Sequence, residues 1–247
     1  MDPCEAFAGR YDLGAPGDPL QDEPRLSFLR ALLERYSIHR VLDCACGTGA
    51  DLVRLHSLGA EVHGSDLSEA MLEQARARLE EAGLDLPLAQ TDFRDLSAAF
   101  EDRFDAVLCL TTSLPQLLEE EEILRALRSM QSVLRPGGVL VLTQGLTDLQ
   151  HRDRLRYAPV AHGPEFTRVL VMDYGEERWE VTAVDLLHSG GETEVHVDRF
   201  RYRLLLADDY ERLLAGAGFP EHELFGDWEL GPYDRESSRR LIVVARA

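Results

Sequence analysis

The residues whose chemistry is legible first lie in the turn Cys46-Gly-Thr-Gly49, which follows an apolar strand and opens a helix. Gly47 and Gly49 lack a Cβ, so the backbone there can approach a ligand closely. About 20 residues on, Asp66 ends the next apolar run, where a carboxylate can accept hydrogen bonds from both hydroxyls of a ribose. Asp43 sits at the end of the strand feeding the turn, placed to orient the loop backbone or to meet an ammonium group. Thr91-Asp92-Phe93 follows a third strand and offers what an adenine needs, an acceptor for its amino group and a flat apolar surface. A dinucleotide site would carry a small residue three positions after Gly49, but Leu52 stands there, which lowers the reading of a pyrophosphate ligand.

The elements that must position these residues alternate in type. A helix runs from Pro24 to Tyr36 on Leu26, Leu29, Leu32 and Leu33, preceded by a Gly-, Pro- and Asp-rich stretch holding Tyr11. Strands are predicted over Arg40–Ala45, Ala60–Ser65, Leu86–Gln90, Phe104–Leu110 and Val139–Thr143. Helices are predicted over Ala50–Ser57 and Ser68–Glu81, with a third that opens at Glu119–Glu122 and carries Ile123, Leu127 and Met130 on one face. The beat then stops. Phe166–Tyr174, Arg178–His188 and Thr193–Leu206 are long alternating runs that predict antiparallel pairing, followed by a last helix over Ala207–Ala217, a short run around Leu224 and a strand over Leu241–Ala245. The predicted fold class is α/β, a Rossmann-like doubly wound, mostly parallel seven-stranded sheet with an antiparallel β lobe inserted before the last helix. Residues 1–145 and 207–247 form the ligand-binding domain, with 1–24 as an N-terminal cap segment, and 146–206 form the inserted lobe on the substrate side.

Composition narrows the partners. The chain has 247 residues, 45% of them apolar, enough for one core and a small lobe. Its 45 carboxylates against 26 basic residues, a net charge of −19, repel nucleic acid and favour small-molecule substrates. All the basic residues are Arg. No run is long enough to span a membrane and the start lacks a signal-peptide pattern, so a cytoplasmic protein is expected. Cys4, Cys44, Cys46 and Cys109 are too irregular for a disulfide framework and are read as thiols; Cys44-x-Cys46 has no second ligand pair, so no metal is expected.

Val41-Leu-Asp-Cys-Ala-Cys-Gly-Thr-Gly49, Val62-His-Gly-Ser-Asp-Leu-Ser-Glu-Ala-Met71, Thr91-Asp-Phe93, Phe104-Asp-Ala-Val-Leu-Cys-Leu110 and Leu134-Arg-Pro-Gly-Gly-Val139 resemble the ordered motifs of class I S-adenosylmethionine (SAM) dependent methyltransferases. Over residues 25–145 the chain is most similar to the glycine N-methyltransferase group. The resemblance implies transfer of a methyl group from SAM to a small-molecule acceptor at nitrogen or oxygen, with S-adenosylhomocysteine as the second product. It implies that Ala45, Cys46, Gly47 and Gly49 approach the donor's amino acid part with Asp43 behind them, and that Asp66 and Leu67 lie at the ribose. It further implies that Asp92 and Phe93 hold the adenine with Met71 on its other side, that Leu110 offers backbone near the sulfonium, and that Tyr11 closes over the donor.

Two departures bear on the acceptor. The glycine N-methyltransferases carry an Arg just after the fifth strand, where this chain reads Thr143-Gln-Gly-Leu-Thr147, and an Asn after the fourth, where it reads Thr111-Thr-Ser-Leu114. Glycine is therefore not implied as the acceptor. Thr112 is a candidate for contact with it, and Arg152 and Arg156 share a face and could fork onto an anionic group. Pairing of those two arginines with the surplus carboxylates is the competing reading. An alignment-driven transfer to a neutral amine needs no dedicated base, whereas a hydroxyl acceptor does; Tyr11, His151 and Tyr157 are the candidates. The rival readings are a SAM-fold enzyme with non-methyl chemistry, such as aminopropyl transfer or cyclisation, a non-catalytic SAM-binding protein, and an NAD oxidoreductase. The oligomeric state is left open.

Overall fold

Strand β1 (Arg40–Asp43) is apolar on both faces, with Val41 and Leu42 fully buried, because helices cover the sheet on either side. It pairs in parallel with β2 (Glu61–Asp66) on one edge and β4 (Phe104–Cys109) on the other. With β3 (Leu88–Gln90), β5 (Leu134–Gln144), β10 (Glu221–Phe225) and β11 (Leu241–Arg246) the order is β10-β11-β5-β4-β1-β2-β3. Only β11 runs against its neighbours. Residues 7–14 and 17–247 are described, in a computed structural model; Cys4 lies outside them.

Helices α1 (Glu23–Tyr36), α2 (Ala50–Ser57) and α3 (Glu69–Glu81) pack Phe28, Leu29, Leu52 and Leu72 onto one face of the sheet. Helices α4 (Glu120–Ser132) and α6 (Ala207–Ala217) pack Leu127, Met130, Tyr210 and Leu213 onto the other. The result is the three-layered, doubly wound α/β architecture expected from the alternating beat. Helix ends follow local chemistry. Asp22 caps α1 by accepting from Arg25 N at 3.3 Å, Ser68 caps α3, and α6 stops at Gly218, whose φ of 96° suits only a residue without a Cβ.

Leu52, the residue that departs from the dinucleotide pattern, is fully buried against Gly64 of β2. A Cβ on Gly64 would stand 2.7 Å from Leu52 Cδ1 and 2.7 Å from Leu88 Cδ2. Close approach of α2 to the sheet is thus made by a glycine in the strand rather than a third glycine in the helix.

A second sheet follows β5 and a short helix α5 (Asp148–Asp153). It is antiparallel, in the order β6-β7-β8-β9, with β6 at Tyr157–His162, β7 at Phe166–Tyr174, β8 at Arg178–Ser189 and β9 at Glu192–Arg203. Sequence reading found β7, β8 and β9 but not β6. That strand is a short edge carrying Pro159, with a register shift between Pro159 and Ala161, so it lacks the alternation that marks the other three. Trp179, Val181 and Leu146 form a third core under this sheet.

The fifth strand begins at Leu134 rather than Val139. The Arg135-Pro-Gly-Gly138 segment stays within it, with the irregularity taken up by a register shift opposite Phe104 and Ala106.

Candidate active site

At the carboxyl end of β1 the strand order reverses, leaving a crevice between the turns that follow β1 and β4. The turn after β1 is stitched to both neighbours: Cys44 N donates to Leu108 O and Cys46 N to Ser65 O, each at 2.9 Å. Gly47 and Gly49 adopt φ of 53° and 79°, and a Cβ on Gly47 would meet nothing within 4 Å, so the backbone there faces open space. Asp66 is joined to this turn directly. Its Oδ2 accepts from Gly47 N and its Oδ1 from Ser68 N, both at 2.9 Å. The carboxylate that sequence reading placed at the ribose therefore also holds the glycine turn in shape.

Asp43 is buried, and its Oδ1 accepts from Ala45 N at 3.3 Å. Burial, reinforced by the negative charge of Asp51, pushes its pKa up to about 8 against the smaller pull of Ala45 N–H and Arg25. Arg25 projects from the first turn of α1 and is taken up by Asp51, through Nε at 3.1 Å and Nη2 at 2.6 Å. Burial alone would raise the Asp51 pKa, but Arg25 and Arg54 hold it below the ordinary range. The result is a buried cluster in which Arg25 is neutralised by one carboxylate while a second, Asp43, has no cation in contact among the described residues. Sequence reading missed Arg25 and Asp51; an arginine in the first turn of a helix otherwise lined with leucines was the available signal.

The N-terminal segment Ala8–Gly14 forms a 3-10 turn that joins both halves of the molecule. Asp12 accepts from Thr48 Oγ1 at 3.1 Å and from Arg78 Nη2 at 2.9 Å, tying the segment to the glycine turn and to α3. On the other side, Arg168 of β7 donates to the carbonyls of Tyr11 at 3.0 Å and Arg10 at 2.8 Å, while binding its cross-strand partner Asp185 at 2.7 and 2.8 Å. Tyr11 is part of this strap, with its ring edge-on to Phe7 at 5.9 Å. Burial, with the charges of Asp12 and Asp51 adding to it, raises the Tyr11 pKa to about 12, so the phenol keeps its proton at neutral pH and is a donor rather than a base.

Asp92 and Phe93 follow β3, where Thr91 N donates to Asp66 O at 3.1 Å and draws the two carboxylate-bearing turns together. Although burial acts against it, the Arg94 guanidinium and backbone N–H hold Asp92 ionised with its pKa lowered. Phe93 packs on the main core, Met71 is buried, and Leu67 is 55% exposed. Leu110 is buried and its carbonyl accepts from Ser113 Oγ at 2.9 Å. Cys44, Cys46 and Cys109 are free and buried, and burial pushes the thiols of Cys44 and Cys46 up, so they stay protonated.

Beyond the turn after β4 lies a cavity of about 160 Å³, at the carboxyl edge of β4 and β5 and roofed by Arg25, Trp228 and Arg240. Its floor is unusual in backbone: Thr111 and Thr112 both take left-handed φ, 59° and 66°, a conformation that is costly for β-branched residues and persists where surroundings impose it. Thr143 and Gly145 impose it here. Thr111 N donates to Thr143 Oγ1 at 2.8 Å, Thr112 N to Thr143 O at 3.0 Å, and Gly145 N to Thr112 Oγ1 at 2.8 Å.

Thr112 is thus at the cavity as expected, but the arginines expected beside it are not. Arg152 pairs with Asp153 and Glu236, and Arg156 with Asp173 at 3.1 Å; both are at least half exposed, and neither lines the cavity. The competing sequence reading, pairing with surplus carboxylates, describes them. Tyr157 is 59% exposed on β6, and His151 lies edge-on to Tyr174 at 6.1 Å against the lobe's aromatic cluster. Trp228 and Arg240, which do line the cavity, went unread because they sit in a loop and a strand start without periodic pattern.

The methyltransferase domain family matches residues 41–138. A glycine/sarcosine N-methyltransferase of Aphanothece halophytica is 30% identical over 227 residues, covering 89% of this chain and 80% of the relative. The chain belongs to the class I SAM-dependent methyltransferases. Among solved structures, a SAM-dependent methyltransferase of Clostridium acetobutylicum shares the fold with a TM-score of 0.79 at 16% identity, covering 98% of this chain and 97% of that one. A sugar N-methyltransferase of Streptoalloteichus aligns with a TM-score of 0.68 at 25% identity, covering 90% and 86%. SAM is therefore the methyl donor of this methyltransferase, and the open glycine backbone, with Asp66 bonded to it and Asp43 buried behind it, is chemistry compatible with that donor.

Proposed function

We propose that this methyltransferase moves the methyl group of SAM to the nitrogen of a small-molecule amine. The observation that carries the choice of nitrogen is the lining of the acceptor-side cavity: arginine, threonine, glycine, tryptophan, leucine and isoleucine side chains, none of which takes a proton at neutral pH. A hydroxyl acceptor needs a base in reach of its proton, while an amine that arrives neutral needs only alignment. The printed activities of similar proteins, glycine/sarcosine and sugar N-methylation, support the same reading.

In this reading Ala45, Cys46, Gly47 and Gly49 present backbone to the donor's amino acid part, and Asp43, protonated in the empty protein, gives up its proton to become the counter-ion of the donor's ammonium. Asp66 and Leu67 flank the ribose, Asp92, Phe93 and Met71 hold the adenine, Leu110 lies under the sulfonium, and Tyr11 covers the donor as a neutral hydrogen-bond donor. The bound sulfonium supplies the activated methyl group; the chain's own work is to bury it, align it and exclude water. Thr112 faces the acceptor in the cavity that Arg25, Trp228 and Arg240 close, and residues 146–206 form the inserted lobe on the substrate side.

The test is label transfer from methyl-labelled SAM into a metabolite pool, with the product read by carbon NMR, which separates N-methyl from O-methyl signals. N-methyl products are expected. Label found only in O-methyl products would overturn the assignment of the acceptor atom. Calorimetric titration should show SAM and S-adenosylhomocysteine binding in preference to NAD.

A further inference from the structure

Two guanidinium groups approach the same indole at the cavity. The Arg25 group lies 4.8 Å and the Arg240 group 4.0 Å from the Trp228 ring centroid, within the range of cation–π attraction. They differ in what else they touch. Arg25 is held by both oxygens of Asp51, so its charge is spent inside the protein. Arg240 has, among the described residues, no carboxylate within ion-pair distance and no hydrogen bond, although it lines the cavity. Asp22 and Glu229 act on it only from a distance, and although the residue is exposed overall, partial burial of its guanidinium and the like charge of Arg25 work against its charged form. In a chain with a net charge of −19, a guanidinium left unpaired at the cavity is a local reversal of the prevailing field.

The register explains how it reaches the cavity. Leu241 of β11 pairs with Gln144 of β5, so Arg240, one residue earlier on an antiparallel strand, comes opposite Gly145, which has no side chain to fill the space. On the far side, the Thr112 hydroxyl accepts from Gly145 N, which leaves its own proton to donate.

We propose that the acceptor carries an oxyanion, a carboxylate or a phosphate, and that Arg240, laid on Trp228, recognises it, with the Thr112 hydroxyl as a second donor. A guanidinium fixed on an aromatic face presents a planar fork of N–H donors, which matches either oxyanion and is not reproduced by a point charge. This assignment rests on reading the cavity as the acceptor site, and it makes Arg240 a residue that selects the substrate rather than one that takes part in bond making.

The experiment uses the full chain loaded with S-adenosylhomocysteine and titrated at constant ionic strength with acetate, inorganic phosphate or neutral acetamide. The backbone amide NMR signals of Thr111, Thr112 and Gly145 are followed. At least one of the two anions is expected to shift these signals saturably while acetamide does not, and which one does distinguishes a carboxylate from a phosphate. Arg240→Gln should weaken that binding at least tenfold, Arg240→Lys by less, with S-adenosylhomocysteine affinity unchanged in both. The proposal is overturned if neither anion moves the signals, if Arg240→Gln binds them as wild type does, or if that variant loses affinity for S-adenosylhomocysteine, which would place the guanidinium at the donor. Failure of wild type to bind S-adenosylhomocysteine is a separate result, against the donor site itself.

Discussion

Gly145 gives its N–H to Thr112 Oγ1 at 2.8 Å, and a Cβ on residue 145 would stand 2.8 Å from that same oxygen. The two segments at which the chain departs from the glycine N-methyltransferase pattern are therefore in contact, so that added bulk at residue 145 is met by Thr112. Gly145→Ala is expected to cost about 1 to 3 kcal/mol of stability by overpacking. In a Thr112→Ala background the offending oxygen is gone and the same change should be milder. Denaturant unfolding of the four proteins measures the coupling, and simple additivity would mean that the contact is not made.

Asp66 serves the glycine turn and, in the proposed function, the ribose. Asp66→Ala is expected to weaken SAM binding by about 1 to 3 kcal/mol, the loss of charge-assisted hydrogen bonds. Asp66→Asn, which keeps one acceptor oxygen for Gly47 N, should lose less. Calorimetry reads both, and wild-type affinity in the alanine variant would remove Asp66 from the site.

Asp43 makes the donor-free protein sensitive to alkali. Its pKa of about 8 lies above that of an unfolded aspartate, so between about pH 4 and pH 8 the folded state keeps a proton that the unfolded chain has released. Stability from this source therefore falls as pH climbs through that window. Asp43→Asn should gain in melting temperature over wild type as pH rises, with the difference vanishing near pH 4. A constant difference at all pH values would show that Asp43 does not titrate there.

Arg168 and Asp185 are buried, at 5% and 0% exposure, and removing Arg168 leaves the buried Asp185 charge only its longer, 3.4 Å contact with Arg10. Arg168→Met is expected to destabilise by about 3 to 5 kcal/mol. It should also release residues 8–14 to faster hydrogen exchange, since the carbonyls of Arg10 and Tyr11 lose their donor. Unchanged exchange in that segment would mean that the Asp12 contacts to the glycine turn and the Arg10 pairs with Asp185 and Asp198 suffice to hold the strap.

Arg152 and Arg156, by contrast, make exposed pairs. Alanine at either is expected to alter stability by no more than about 0.5 kcal/mol and to leave the anion response of the cavity intact.

The turns expected to hold the donor were legible because they are written locally. Gly47, Asp66 and Asp92 each stand at or just after a strand end, and strand ends on one edge of a parallel sheet converge whatever lies between them. The cavity beyond the turn after β4 was not. Arg25, Trp228 and Arg240 come from a helix start, a loop and a strand start, and only the antiparallel return of β11 beside β5 brings them together. Arg152 and Arg156 misled because a shared face says where side chains point relative to each other, not whether carboxylates such as Glu236 and Asp173 wait beside them. The strand β6 was hidden by Pro159, which an edge tolerates and a periodic pattern does not advertise.

The strap across the glycine turn sets an order of assembly. Its partners Arg168, Asp185 and Asp198 lie more than 150 residues downstream of Arg10 and Tyr11, at separations of 158, 175 and 188 positions in the chain. The central sheet can pair β1, β2 and β4 as soon as they emerge, and Asp12 can meet Thr48 and Arg78 early, but the lobe side of the strap is not complete until β9 brings Asp198 to Arg10. The lobe-side contacts of residues 8–14 are thus long-range closures, made only after the central sheet has paired.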